Sequence, residues 1–297
     1  MYFTAEVRLV VGRESFGVEL AKLLLYINMR GSLKEAAEAC GVPYSTAWNL
    51  LARAERALGQ RLVESAKGVG TALTPQGREL LAKFLAEAGK RGVFLRVGRL
   101  IYAGSHDPAL EESLPPDVEA YYLGSLRGLL AVASGDAHFA GIHLGDNAAA
   151  VKTYAPHLVL IPGFKREVGI AYRKELAIKS AEDLRGLRVV NMPPGAGSRV
   201  LLDKLLRELG LAPRETPGYF KTAQTHREAA EAVARGEGDY TIAPRHVAEK
   251  AGLGFLKLAE EDFDFAAAPE VAEEAAQLVR KIRLPPGYAP KAGGANS

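Results

Sequence analysis

One cysteine, Cys40, in 297 residues leaves no partner for an intrachain disulfide, and no Cys/His cluster has the spacing of a structural zinc site. A reducing compartment follows, and no metal or cofactor is expected. No run of about 18 apolar residues occurs, and Met1-Tyr2-Phe3-Thr4-Ala5-Glu6 lacks the basic stretch and apolar core of a secretory signal. A cytoplasmic chain without a membrane partner is expected. Solenoid-length repeats and low-complexity blocks are lacking too. So are a Gly-Lys-Ser/Thr phosphate loop, a complete dinucleotide fingerprint and a Gly-x-Ser-x-Gly elbow, and Ser105-His106-Asp107 are consecutive rather than brought together by a fold. These absences argue against an enzyme, and no catalytic residue is assigned.

What is present is a well-packed globular composition, 48% apolar, 25% charged and 7% aromatic, in a length that suggests about two domains. The net charge of +3 is uneven: residues 1–92 hold 13 Lys and Arg against 9 Asp and Glu, and the remainder is close to neutral. Composition changes at Glu87-Ala88-Gly89-Lys90-Arg91-Gly92. Before it the pattern is mostly helical. After it β-branched runs at Phe94–Tyr102, Phe139–His143, Val159–Pro162, Val168–Tyr172, Leu187–Asn191 and Tyr240–Ala243 alternate with amphipathic stretches, the rhythm of an α/β domain. With the boundary at 88–94, we expect a domain over 1–90, a second over 94–284, and a loosely ordered tail over 285–297 rich in Pro, Gly and Ala.

The first domain reads as a winged helix-turn-helix. Phe16–Met29 is apolar enough for a buried helix; Ser32-Leu33-Lys34-Glu35 is a capping-box pattern for a second, and Gly41 supplies a turn. A third helix opens near Pro43. Leu50, Leu51, Ala54 and Leu58 fall on its inner face, leaving Tyr44, Ser45, Thr46, Asn49 and Arg53 outward. Those outward residues suit base edges in a major groove, with Arg53, Arg56 and Arg30 placed for phosphates. Trp48 is expected in the core. Arg61–Glu64 and Thr71–Leu73, about a Ser65–Gly70 turn with Lys67, read as the wing. Thr74-Pro75 then opens a last helix with the apolar stripe Leu80, Leu81, Phe84, Leu85.

In the second domain, three strand-to-helix junctions place Gly and Ser at a helix N-terminus: Gly104-Ser105-His106, Gly124-Ser125, and Gly195-Ala196-Gly197-Ser198-Arg199. Thr225-His226 opens a fourth helix. Unpaired amides, the positive end of the helix dipole and a neutral hydroxyl favour an anion at each. Arg199 either adds charge or pairs with Asp203 on its own helix, and His138 and His143 read as packing or surface residues.

Two resemblances follow from these residues. Gly31-Ser32-Leu33-Lys34-Glu35-Ala36-Ala37, Gly41-Val42-Pro43-Tyr44-Ser45-Thr46-Ala47-Trp48 and Leu73-Thr74-Pro75-Gln76-Gly77 resemble the winged helix of molybdate-responsive (ModE-type) regulators and, more loosely, of LysR-type regulators, although Pro43 stands where both more often carry a small polar cap. Gly104–Leu110, Gly124-Ser125-Leu126-Arg127-Gly128-Leu129, Ala140–Leu144, Asn191 through Asp203 and Gly218 through His226 are similar to the periplasmic-binding-protein-like domain related to molybdate- and tungstate-binding proteins. The resemblance implies two α/β lobes that close on an anion through Ser105, Ser125, Ser198 and Thr225 and the amides after Gly104, Gly124 and Gly197, with Arg199, His106 and His226 as further candidates. It implies a homodimeric or larger DNA-binding transcription regulator acting on a double-stranded operator and sensing molybdate or tungstate. The alternatives are a LysR-like regulator of an organic anion or molybdenum-cofactor species, and an importer's solute-binding protein.

Overall fold

The computed structural model describes residues 7–66, 70–194, 196–223 and 225–291. The described part opens with an element that the sequence pattern did not announce, an antiparallel hairpin of β1 (Leu9–Val11) and β2 (Glu14–Phe16). Helix α1 (Val18–Arg30) follows, buried through Leu20, Ala21, Leu23, Leu24, Leu25 and Ile27. Ser32 accepts from the Glu35 amide and starts α2 (Leu33–Ala39). Helix α3 (Tyr44–Leu58) has Pro43 as its N-cap, one position earlier than a first-turn proline, with the Pro43 carbonyl accepting from Thr46 and Ala47.

The wing is β3 (Val63–Ala66) with β4 (Gly70–Leu73). Two ties set its position. The Glu55 carboxylate of α3 accepts from the amides of Leu62 and Val63 at 2.8 and 3.2 Å, and Thr74 accepts from Gly77 while donating to the Arg61 carbonyl. Thr74 thereby caps α4 (Pro75–Lys90). Gly77 is required there, since a Cβ would lie 2.1 Å from the Leu62 carbonyl oxygen.

Beyond α4 lies the α/β domain, in two lobes. The first is built on the parallel strands β5 (Leu100–Gly104), β6 (Val118–Tyr122) and β7 (Phe139–Ile142), with α5 (Pro108–Ser113), α6 (Ser125–Ala133) and α7 (Asn147–Tyr154). The second is built around β9 (Tyr240–Pro244), with α8 (Gly197–Glu208), α9 (His226–Ala234) and α10 (Arg245–Lys250). The stretch Leu187–Asn191, expected as a strand, makes isolated bridges only, Val189 to Tyr240 and Asn191 to Thr222.

Two 14-residue strands, β8 (Val159–Tyr172) and β10 (Gly254–Ala267), run antiparallel across both lobes. β10 pairs with β7 at one end, and β9 pairs with β8 at the other. The expected runs Val159–Pro162 and Val168–Tyr172 are thus one strand, continuous through Lys165-Arg166-Glu167. Helix α11 (Ala272–Arg280) precedes β11 (Tyr288–Pro290). Within the stretch expected as a loose tail over 285–297, Tyr288, Ala289 and Pro290 pair with Arg166, Lys165 and Phe164, and Lys291 bonds Asp262 and Asp264. Residues 292–297 lie outside the described part.

The two domains share packing. Helix α4 lies against β6, and a Cβ on Gly89 would stand 2.8 Å from Leu123 Cδ2 and 2.9 Å from Tyr121 Cδ1. The segment after α4 is held by Tyr121, which accepts from the Leu95 amide at 2.7 Å, and by Glu119, which accepts from Arg96, Val97 and Gly98. Glu119 is fully buried, and Arg96 adopts φ 54°, a left-handed conformation that a non-glycine residue keeps only when its surroundings impose it.

Candidate nucleic-acid and ligand sites

On α3 the buried positions are Ala47, Leu51 and Ala54, spaced four and three apart, against the buried Ala36 and Ala37 of α2. Opposite them Tyr44, Ser45, Thr46, Asn49 and Arg53 are all exposed, as their spacing predicts. Arg53 is not a free cation: it pairs with Glu14 of the first hairpin and lies over the Phe16 ring. Trp48 corrects a second expectation. It is 52% exposed and borders a groove of about 560 Å³ with Ala52, Glu55, Arg56 and Arg61, because position 48 sits a quarter turn beyond Ala47 and off the face that meets α2. Lys67 lies outside the described residues.

Between the lobes the predicted hydroxyls sort unevenly. Ser105 and Ser125 are brought together, Oγ to Oγ at 2.8 Å, and Ser125 Oγ also accepts from the His143 amide at 3.0 Å. Gly124 has φ 85° at the N-cap of α6, a backbone geometry that turns the chain into the helix with little strain. Gly104 serves packing: a Cβ would meet the backbone of Gly141 at 2.5 Å. The amide after it, expected to face the anion, instead donates to the Gly141 carbonyl. Ser198 is buried at the start of α8, and Thr225 accepts from the Glu228 amide as the cap of α9. Gly195 is outside the described residues.

Arg199 is held by neighbours on its own side of the seam. It donates to the Met192 carbonyl at 3.0 Å, stands 3.4 Å from Asp203, and covers the Tyr219 ring at 4.0 Å. These partners lie within its own lobe, while its Nε is buried without a hydrogen-bond partner.

The residues that define the seam were largely missed. Arg166, on β8, is 2% exposed; it bonds Asp107 at 2.7 Å and Glu261 of β10 at 3.0 Å, and Tyr288 donates to the same Asp107 oxygen. These carboxylates hold the guanidinium firmly in its charged form against the cost of burial. Asp107 also caps α5 by accepting from Ala109 and Leu110. Lys165-Arg166-Glu167 facing Glu260-Glu261-Asp262 was the available signal, a charged triplet inside an otherwise apolar strand.

Three histidines from three elements face this ion group. His106, before α5, stands 3.2 Å from Glu111 and edge-on to Tyr122. His143, after β7, stacks on Phe263 and lies 3.8 Å from Glu261. Across the seam, a Cβ on Gly197 would stand 2.7 Å from the His143 ring, so the start of α8 closes on the opposite lobe. Burial, reinforced by Arg166, pushes His143 down to about 4. His226, at the start of α9, is pushed well below the ordinary histidine value by burial, then by the positive fields of Arg166, His106 and His143. Among the described residues no group of three or more His, Cys, Asp or Glu is arranged to hold a metal ion. Nor is any helix there long and apolar enough to cross a membrane.

Comparison with known proteins agrees with this division. A model of the PBP superfamily domain matches residues 109–282, more than half of the sequence, and a model of the bacterial regulatory helix-turn-helix proteins of the lysR family matches residues 18–78. The class is therefore a lysR-type helix-turn-helix joined to a PBP-like domain. More particularly, the chain belongs to the PBP superfamily. A curated relative, the uncharacterized protein YvgK of Bacillus subtilis (strain 168), is 30% identical over 187 residues, 59% of each chain. The match thus spans about three fifths of that relative's length.

Among solved structures, a cysteine mutant of OxyR from Corynebacterium glutamicum is similar at 17% identity, with 89% of this chain and 90% of that one covered and a TM-score of 0.45. Full-length OxyR from Pseudomonas aeruginosa, also a mutant, gives 16% identity, 95% and 99% coverage and a TM-score of 0.44. CbnR in complex with its target DNA gives 16%, 90% and 100%, and 0.40.

Proposed function

We propose that the protein is a transcription regulator of the LysR-like kind, in which α3 enters the DNA major groove and the seam between the lobes takes a small oxyanion, molybdate or tungstate. The observation that carries this reading is the outward face of α3. Tyr44, Ser45, Thr46 and Asn49 are exposed together on a helix that Glu55 ties to the wing strand, in one chain with a two-lobed ligand fold. The polar tips of such a face reach base edges, while Arg30, Arg56 and the wing supply phosphate contacts.

Neutral donors suit an oxyanion. The paired Ser105 and Ser125 hydroxyls stand at the first turn of α6, and the first turns of α8 and α9, beginning at Gly197 and His226, bring further amides to the seam. Ligand that binds one lobe arrangement better shifts the protein toward it. The Leu95–Gly98 segment, held to β6 by Tyr121 and Glu119, passes the shift to α4. In a two-fold dimer the paired α3 helices read half-sites about one helical turn, roughly 34 Å, apart.

The test is fluorescence anisotropy of a labelled fragment from upstream of the protein's own gene, with and without molybdate or tungstate. The expected result is salt-dependent binding whose affinity changes on adding one of the anions. N49A weakens discrimination against altered sites by about 1–3 kcal/mol and leaves anion binding intact. Failure to discriminate any DNA from random sequence overturns the reading.

A further inference from the structure

The charges of the seam do not by themselves favour an anion. Arg166, the cation buried there, already faces Asp107 and Glu261, and Tyr288 adds a hydrogen bond to Asp107. Glu111 on the same rim holds Arg227. A dianion brought into this space meets three carboxylates, and the cations set against them are already engaged. Serine hydroxyls and helix amides supply dipoles but no full charge. Something else has to answer the ligand.

The groups placed to do so are imidazoles. His143 lies between Ser125, whose Oγ takes its amide, and Gly197 at the start of α8. His226 opens α9, and its Nδ1 is buried without a hydrogen-bond partner, as is Nδ1 of His106. Buried polar atoms are nearly always satisfied, so two open ring nitrogens in one seam point to a ligand with acceptor oxygens.

Resting on the anion-sensing reading above, we propose that His143 and His226 answer the ligand's charge by taking up protons as it binds, so that the seam captures an oxyanion together with protons and holds it more tightly as the pH falls. Among the described residues, the charged and titratable groups facing the two rings are these. Arg166, Glu261 and Asp107 face His143; Arg166, His106 and His143 face His226. Glu111 and Tyr122 adjoin His106, and Arg227 with Lys250, bound to Glu111 and Glu112, completes the rim. Burial and Arg166 disfavour the charged form of both histidines in the ligand-free seam. A neighbouring dianion acts in the opposite sense on both. The specificity that follows is for compact, fully ionised oxyanions over neutral ligands, which leave the histidines unprotonated.

The experiment is calorimetric titration of the full chain with sodium molybdate. It is run near pH 7 in two buffers of different ionisation enthalpy, and across about pH 6.5 to about pH 8 in one buffer. A buffer-dependent heat reporting uptake of about half a proton to two protons is expected, with affinity rising up to about tenfold per pH unit for each proton taken up. H143N and H226Q each lower the uptake, and together they flatten the pH profile. The unaltered protein carries the test even if a variant folds poorly. Binding with no buffer dependence and a flat profile overturns the proton linkage and leaves the anion reading standing. Silence toward molybdate, tungstate, sulfate and phosphate alike overturns both.

Discussion

The outward face of α3 and the seam between the lobes are built in opposite ways. On α3, Tyr44, Ser45, Thr46 and Asn49 stand exposed on a helix whose shape is set from behind by small buried residues. In the seam, Arg166, Asp107, Glu261 and Tyr288 satisfy one another, and the ligand has to enter a network already in balance. The first arrangement suits DNA, a large polyanion read by contacts added at a surface. The second suits a small anion that must be taken out of water, where every unpaired charge is costly. Surface positions should therefore tolerate substitution with little loss of stability, and seam positions should not.

The sharpest way to break that contrast is R166M. It leaves Asp107 buried with its guanidinium partner gone, and removing one member of a buried ion group typically costs about 3–5 kcal/mol. Chemical denaturation should show a loss of that size. Adding D107N to R166M should recover part of it, since the stranded charge is then gone as well. N49A, by comparison, should stay within about 0.5 kcal/mol of the unaltered protein. A loss below about 1 kcal/mol for R166M would mean that water reaches the seam as freely as it reaches α3.

Acid titration comes next in size. His143 is held at about 4, below its unfolded value near 6.5. The neutral ring is thus favoured by folding, and the unfolded chain takes up a proton first as the pH falls. Stability is undiminished by this group above about pH 6.5 and is lost as the pH drops from there to about 4. The full shift corresponds to about 3 kcal/mol. Denaturant midpoints measured at steps across this window should fall steadily, and H143N should shallow the slope. An equal slope in H143N would place the acid-sensitive groups elsewhere, with His226 the next to change.

The same contrast explains what the sequence disclosed. Ser32, Thr74 and the three-and-four spacing of Leu51, Ala54 and Leu58 are local signals, each readable within a few residues, and the winged helix was legible from them. Trp48 escaped because residue type suggested burial while helical phase placed it outside. The seam is assembled across long separations: Arg166 meets Asp107 59 residues away and Glu261 95 away, and Tyr288 meets Asp107 across 181. Ser105 and Ser125 could be named from their Gly-Ser junctions. Their mutual hydrogen bond could not, and of the partners of Arg199 only Asp203, four residues on along its helix, was legible, while Met192 and Tyr219 were not. Lys165-Arg166-Glu167 looked like a break between two strands because nothing local shows that partners for the charges wait on β10 and α5. Tyr288 sat in a Pro- and Gly-rich segment whose order comes from pairing with β8.

The smallest effect concerns the rim, where the two kinds of region meet. Lys250 of one lobe bonds Glu112 of the other at 2.6 Å, with side chains 59% and 47% exposed, and Arg227 bonds Glu111 beside it. Pairs this exposed are screened by water and salt and contribute about 0–1 kcal/mol, so E112Q should scarcely move a denaturation midpoint. Yet the bond spans the two lobes, so if they part on release even a few tenths of a kcal/mol acts on that equilibrium. Stopped-flow release of bound molybdate from E112Q should therefore be about 1.5- to twofold faster at low salt, converging on the unaltered protein as salt rises. A release rate that E112Q leaves unchanged at every salt concentration would mean that the buried network alone holds the lobes together.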